Sequence, residues 1–117
     1  MASDIYWLCV FKIEPSSFED FAALVRPLIE ETRKEPGNLA YEYCVTKDHT
    51  EIHIIERYKD GKSVVWHVQN TFSKYAEAWG KLAAVQSFVV YGDPGEAKST
   101  LDGFGAVYVD RFDGYTK

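Results

Sequence analysis

Along residues 4–13 apolar side chains occupy both alternating sets: Ile5, Trp7, Cys9, Phe11 and Ile13 on one, Tyr6, Leu8 and Val10 on the other. That pattern predicts a strand covered on both faces rather than one with a wet side. The spacing then changes. Pro15-Ser16-Ser17 opens a helix with Ser16 or Ser17 as its N-cap, and Phe18, Phe21, Ala22, Val25, Leu28, Ile29 and Thr32 follow at intervals of three and four. Glu19 and Asp20 suit the positive helix end, Pro27 interrupts the pattern and is expected to kink or loosen the helix, and Glu35-Pro36-Gly37 ends it. Period two returns in Asn38–Thr46 and Glu51–Tyr58, joined by Lys47-Asp48-His49-Thr50, which reads as a hairpin. After Lys59–Ser63, helical spacing resumes through Val64, Val68, Thr71, Phe72, Tyr75, Trp79 and Leu82, as two helices broken near Asn70–Ser73. Ser87–Tyr91 reads as a fourth strand, Gly92-Asp93-Pro94-Gly95 as a turn and Phe104–Phe112 as a fifth strand.

The order β-α-β-β-α-β plus a terminal strand predicts an α+β, ferredoxin-like split βαβ with both helices on one face of an antiparallel sheet. The 117 residues make a single domain, 1–117, long enough for a core without staples. Two helices cover one face only, while the strands are apolar on both. A second copy of the same sheet is the simplest cover, so a homodimer closed into an α+β barrel is expected.

Composition narrows the partners. The net charge is −5 and Lys and Arg form no run, so a nucleic-acid footprint is missing. No apolar run spans a bilayer and the N-terminus has no basic, signal-like start, which makes the cytoplasm the expected compartment and a membrane an unexpected partner. Cys9 and Cys44 fall on strands that are not neighbours in this topology, so free thiols are expected. Aromatic residues make up 15% of the chain, enough to fill a core, line a pocket or form an interface.

Candidate chemistry is sparse. His67 stands about 60° of helical arc from the Val64/Val68/Thr71 stripe, at the border of core and surface. There it serves either as a proton-transfer group or as a structural histidine bonded to a carbonyl. Glu56 interrupts the apolar row Ile52, Ile54, Tyr58, so its carboxyl needs a partner: His67, as relay or tautomer-setting group, or a neighbouring Arg or Lys. Asn38, after Pro36-Gly37, either caps the turn or points at a ligand. Trp7, Tyr41, Tyr43, Trp66, Phe72 and Tyr75 are candidates for the walls of a small-molecule pocket, each equally at home in a core. His49 and His53 sit in a turn and a strand with no third ligand, which argues against a metal. No glycine-rich loop follows a strand into a helix, and no nucleophile motif is present, so protein and substrate together must supply any chemistry.

The run Glu35-Pro-Gly-Asn-Leu-Ala-Tyr-Glu-Tyr43, the segment Ile54-Ile-Glu-Arg-Tyr-Lys-Asp60 and the helix with Val64-Val-Trp-His67 resemble the antibiotic biosynthesis monooxygenase (ABM) family, with similarity to small quinol monooxygenases and to the autoinducer-2 processing isomerase. The resemblance covers about residues 5–82; residues 83–117, an extra turn and terminal strand, are unmatched. It implies a dimeric α+β barrel with a pocket between helices and sheet, no metal and no organic cofactor, and O₂ as co-substrate in the oxygenase members. It also implies catalytic roles for His67, Glu56 and Asn38. Isomerase-like members carry a second His five residues on, where this chain has Phe72. Haem-degrading members need an Asn in the first strand, which Tyr6–Val10 lacks. The expected function is a cofactor-independent monooxygenase acting on a small electron-rich aromatic or quinol-type substrate. The alternatives are a cofactor-free isomerase or tautomerase using the same His, and a non-catalytic small-ligand-binding dimer.

Overall fold

The computed structural model describes residues 4–117. Its strands are β1 (Ile5–Ile13), β2 (Asn38–Val45), β3 (Glu51–Tyr58), β4 (Ala83–Tyr91) and β5 (Val107–Val109), and its helices α1 (Phe18–Arg33), α2 (Gly61–Asn70), α3 (Ala76–Leu82) and α4 (Lys98–Asp102). The sheet runs β2-β3-β1-β4-β5. The first four strands pair antiparallel, in the split βαβ arrangement, and β5 adds parallel to β4. The α+β, ferredoxin-like expectation therefore holds.

Register assigns the two faces. Trp7 pairs with Glu56 and Cys9 with Ile54; Tyr41 pairs with Glu56 on the other side, and Phe88 with Cys9. These residues share the inner face, and with α1 residues Phe21, Val25 and Leu28 and α2 residue Val64 they build the core. Leu8, Ile55, Val107 and Val109 lie on the opposite face and are 38–57% exposed.

Two local differences from the sequence reading stand out. Helix α1 is preceded by a 3₁₀ turn at Pro15–Ser17, and the N-cap residue Ser17 makes no side-chain capping bond, so neither serine caps it through its hydroxyl. Pro27 lies inside α1, where it has no N–H to offer the Ala23 carbonyl, and both residues are exposed. The C-terminal part differs most. β4 begins at Ala83, where pairing with Ile13 overrides the weak strand propensity of Ala83-Ala84. The stretch 98–102 forms α4, and the fifth strand shrinks to Val107–Val109 because the helical crossover to a parallel strand consumes the chain before it. Cys9 and Cys44 are free, as expected.

Candidate active site

The site begins with a tight turn. Gly37 is buried beneath the first turn of α2, where a Cβ would stand 2.1 Å from Ser63 Oγ and 2.5 Å from Ser63 Cβ. Only glycine permits that approach. Ser63 is itself fixed, since Asp60 caps α2 by accepting from the Ser63 N–H at 2.8 Å and from its hydroxyl at 2.7 Å. The Gly37 carbonyl accepts from the Lys59 N–H at 2.9 Å, tying the turn to the end of β3. The turn after α1 is thus clamped to the start of α2, and two side chains distant in sequence meet.

Those side chains are Glu35 and His67. A Glu35 carboxylate oxygen lies 2.8 Å from His67 Nδ1, and both side chains are nearly sealed from solvent, at 5% and 4% exposure. His67 is therefore buried, not at the border that helical geometry suggested, because the turn at 35–37 closes over the face of α2 that carries it. With Nδ1–H donating to the carboxylate, Nε2 is left as the nitrogen available to a ligand. The sequence pattern marks Glu35 only as part of a helix end. The signal that would have found it is the directly following Pro-Gly, which ends α1 abruptly and turns the last acid inward.

Glu56 stands close by but makes other bonds. Its two oxygens accept from Trp7 Nε1 at 2.9 Å and from the Tyr58 hydroxyl at 2.7 Å. Neither of the partners the sequence suggested, His67 or a basic residue, is its hydrogen-bond partner; Arg57, the nearest base in sequence, bonds Asp4 on the other face. Burial pushes the Glu56 carboxyl above its ordinary range, opposed by the His67 charge and by the bonds from Tyr58 and Trp7. Tyr41, Tyr43 and Tyr58 are all driven well above the usual phenol range, first by burial and then by neighbouring groups, chiefly Glu56 or Tyr41. The Tyr41 and Tyr43 hydroxyls sit 2.8 Å apart and share a hydrogen bond.

Four of these groups line a cavity of about 40 Å³. Glu56, His67, Tyr41 and Tyr43 contribute polar atoms; Trp7, Phe11, Phe72, Trp79, Phe88 and Phe104 supply aromatic walls, and Cys9, Ile54, Val68 and Leu101 complete the lining. No Lys or Arg lines it. The Tyr41 and His67 rings lie 5.4 Å apart, and the Phe72 ring lies 6.4 Å from His67, near parallel. Burial raises the Cys9 thiol far above its ordinary range, which keeps it a neutral wall rather than a nucleophile.

Of the candidates singled out in the sequence, His67, Glu56, Tyr41, Tyr43, Phe72 and Trp7 meet at this cavity. Three stand outside it. Asn38 donates from Nδ2 to the Ala40 carbonyl at 3.2 Å, the local turn chemistry open to it from the start. Trp66 is 53% exposed, because its position on α2 faces away from the sheet. Tyr75 bonds Glu31 of α1 instead of facing the cavity. His53 bonds Glu51 and His49 packs on Phe18; among the described residues no group of three acidic, His or Cys side chains could hold a metal. No described helix is long and apolar enough to cross a membrane.

No curated protein sequence matches the chain. Among solved structures, MupZ from Pseudomonas fluorescens is 24% identical, with a TM-score of 0.87 over 100% of this chain and 91% of its own. An antibiotic biosynthesis monooxygenase assigned in Nitrosomonas europaea is 20% identical (TM-score 0.70, 80% of this chain and 92% of its own). SnoaB from Streptomyces nogalater, described as a cofactor-independent oxygenase, is 14% identical (TM-score 0.66, 79% and 94%). These likenesses establish a common fold. The model of the antibiotic biosynthesis monooxygenase family matches residues 5–88, well over half of the sequence, and the chain belongs to that family.

Proposed function

We propose that the protein is a cofactor-independent monooxygenase whose His67 deprotonates an uncharged, electron-rich phenol or enol, the resulting anion then reacting with O₂. The observation that carries this reading is the buried Glu35–His67 pair at 2.8 Å, opening onto an aromatic cavity. A carboxylate on Nδ1 holds the imidazole in the tautomer whose Nε2 accepts a proton and stabilises the imidazolium once formed. Aromatic walls suit a flat ring. A lining with one carboxyl and no cation disfavours substrates bearing carboxylate or phosphate. Membership of the family and the description of SnoaB support an oxygenase in general terms.

The chemistry balances without an added reductant. For a ring CH₂ conjugated to a phenol, His67 takes one proton and the carbanion transfers electrons to O₂, forming a C–O bond. Protonation of the peroxide and loss of water break the O–O bond and leave a carbonyl, with one oxygen atom in the product and one in water. Tyr41 and Tyr43 are kept neutral by burial, and whichever of the two hydroxyls accepts in their shared bond keeps a proton to donate to the developing oxyanion. Glu56 and its two donors fix the floor beneath the ring. Asn38, Trp66 and Tyr75 have no contact with the reacting centre in this scheme.

A second reading rests on one observation. Glu56 is a carboxyl raised by burial in the same cavity as an imidazole base, the acid-and-base pairing of a proton-relocating isomerase. Such an enzyme works without O₂. A ligand-binding dimer without catalysis leaves its ligand unchanged.

The test is O₂ uptake by chelator-treated protein offered quinols and anthrones, with His67→Ala beside it. Uptake lost in the variant is the expected result. Conversion that proceeds equally under argon overturns the oxygenase and favours the isomerase.

The exposed apolar outer face, with Leu8, Ile55, Val107 and Val109, supports a homodimer closed sheet against sheet. The substrate is a small molecule, with no nucleic acid or membrane involved, in keeping with a cytoplasmic setting.

A further inference from the structure

A cavity of about 40 Å³ holds a water or two, whereas sites for organic ligands enclose roughly 300–1,000 Å³. One of its walls must therefore yield before any ring enters. The sheet wall is a poor candidate: Trp7, Cys9 and Ile54 are at most 3% exposed and locked in the strand ladder. Leu101 of α4 is 1% exposed, and Ala97 before it is fully buried, so that helix is also pinned. Phe104 is different. It is half-buried, follows directly on the last turn of α4, and is flanked by Gly103 and Gly105. Gly105 has φ of +77°, and a Cβ there would meet nothing, so no side chain crowds Phe104 from that position, while the N–H groups of Phe104, Gly105 and Ala106 bond back to Leu101 and Asp102 and hold the turn. The Phe104 ring packs on the edge of the core, stacked 5.9 Å from Phe88 and edge-on 6.1 Å from Phe72.

We propose that Phe104 is the specificity-determining side chain of the pocket. In the closed form its ring occupies the place of the substrate's distal ring, and it rotates outward about its own side-chain bonds, on a turn held by its backbone, to admit the ligand. A substrate ring stacking on Phe88 and Phe72 then replaces the contacts that Phe104 gives up. Phe104 lies beyond residues 5–88, the part matched by the family model. The proposal rests on the reading of this cavity as the substrate pocket, but not on the reaction performed there.

The test is calorimetric titration under argon with phenol, one ring, and 2-naphthol, two fused rings. Wild-type protein, Phe104→Ala, Phe104→Leu and Phe104→Trp are compared after circular dichroism confirms that each is folded. Removing the ring is expected to strengthen 2-naphthol binding about tenfold relative to phenol, Leu to give a smaller gain, and Trp to shift the ratio the other way. A ratio unchanged across the folded variants overturns the gate. Oxygen uptake with anthrone is measured on the same variants: a size shift leaves the gate standing whether or not uptake occurs, whereas uptake without a size shift removes the gate alone.

Discussion

Glu35 and His67, thirty-two residues apart, meet at 2.8 Å between Oε2 and Nδ1 in a site almost closed to solvent. The contact exists because Gly37 lets α2 rest on the turn that carries Glu35. A buried imidazole with a fixed tautomer follows from it, and most of the predictions below test that arrangement or its surroundings.

Replacing Glu35 by Gln keeps the volume and removes the charge. The variant is expected to lose about 10–100-fold in turnover, with a mixed His67 tautomer in ¹⁵N NMR spectra. Glu56→Gln, which does not touch Nδ1, is expected to leave that tautomer intact. An unchanged His67 spectrum in Glu35→Gln would show that the carboxylate does not set the ring.

His67→Ala is expected to reduce oxygen uptake by about 10²–10⁴-fold, the usual contribution of a positioned base, while phenol still binds under argon. Retained uptake would remove His67 from the mechanism.

Glu56 predicts a pH dependence of stability. Its carboxyl lies above the ordinary value of 4.5 in the folded chain, so unfolding releases a proton once the pH passes the unfolded value. The folded state then binds more protons than the unfolded, and the Glu56 contribution, complete below about pH 4.5, declines as pH rises through the folded value. Urea unfolding of wild type and Glu56→Gln from pH 4 to 8 is expected to show the variant gaining relative stability with pH, since Gln does not ionise; its amide oxygen can accept from Trp7 while its NH₂ donates to the Tyr58 hydroxyl. A constant difference would mean that Glu56 titrates alike in both states.

Gly37→Ala forces a methyl into the space of Ser63 and is expected to cost about 1–3 kcal/mol in urea unfolding, with a larger proportional loss of activity because Glu35 and His67 are moved apart. Gly37→Ala combined with Ser63→Gly relieves the clash, and failure of that pair to recover stability would refute the clamp.

Leu8, 38% exposed on the outer sheet face, tests the dimer. Light scattering is expected to give twice the 13.4 kDa chain mass for wild type and a monomer for Leu8→Arg. A stable wild-type monomer at micromolar concentration contradicts sheet-on-sheet assembly.

Much of this was written in local pattern. Period-two and period-3.6 spacing placed the first three strands and first three helices, because each element must turn one apolar set toward a common core. The same logic made Glu56 visible, as an acid in the row Ile52, Ile54, Tyr58. The break near Asn70–Ser73 likewise appears as a 3₁₀ turn at Phe72–Lys74. Tertiary packing decided the rest. Periodicity left His67 at a border, and only the turn at Gly37 buries it. Trp66 and Tyr75 share the aromatic character of Trp7 and Phe72, yet one faces solvent and the other bonds Glu31, since residue type does not say which neighbour will arrive. Glu35 carried the local signature of a helix end, and its meeting with His67 is a contact across thirty-two residues that no window of sequence contains. Sequence by itself determined which faces are apolar and in what order the elements come; which acid reaches the imidazole depended on how closely two backbones could approach.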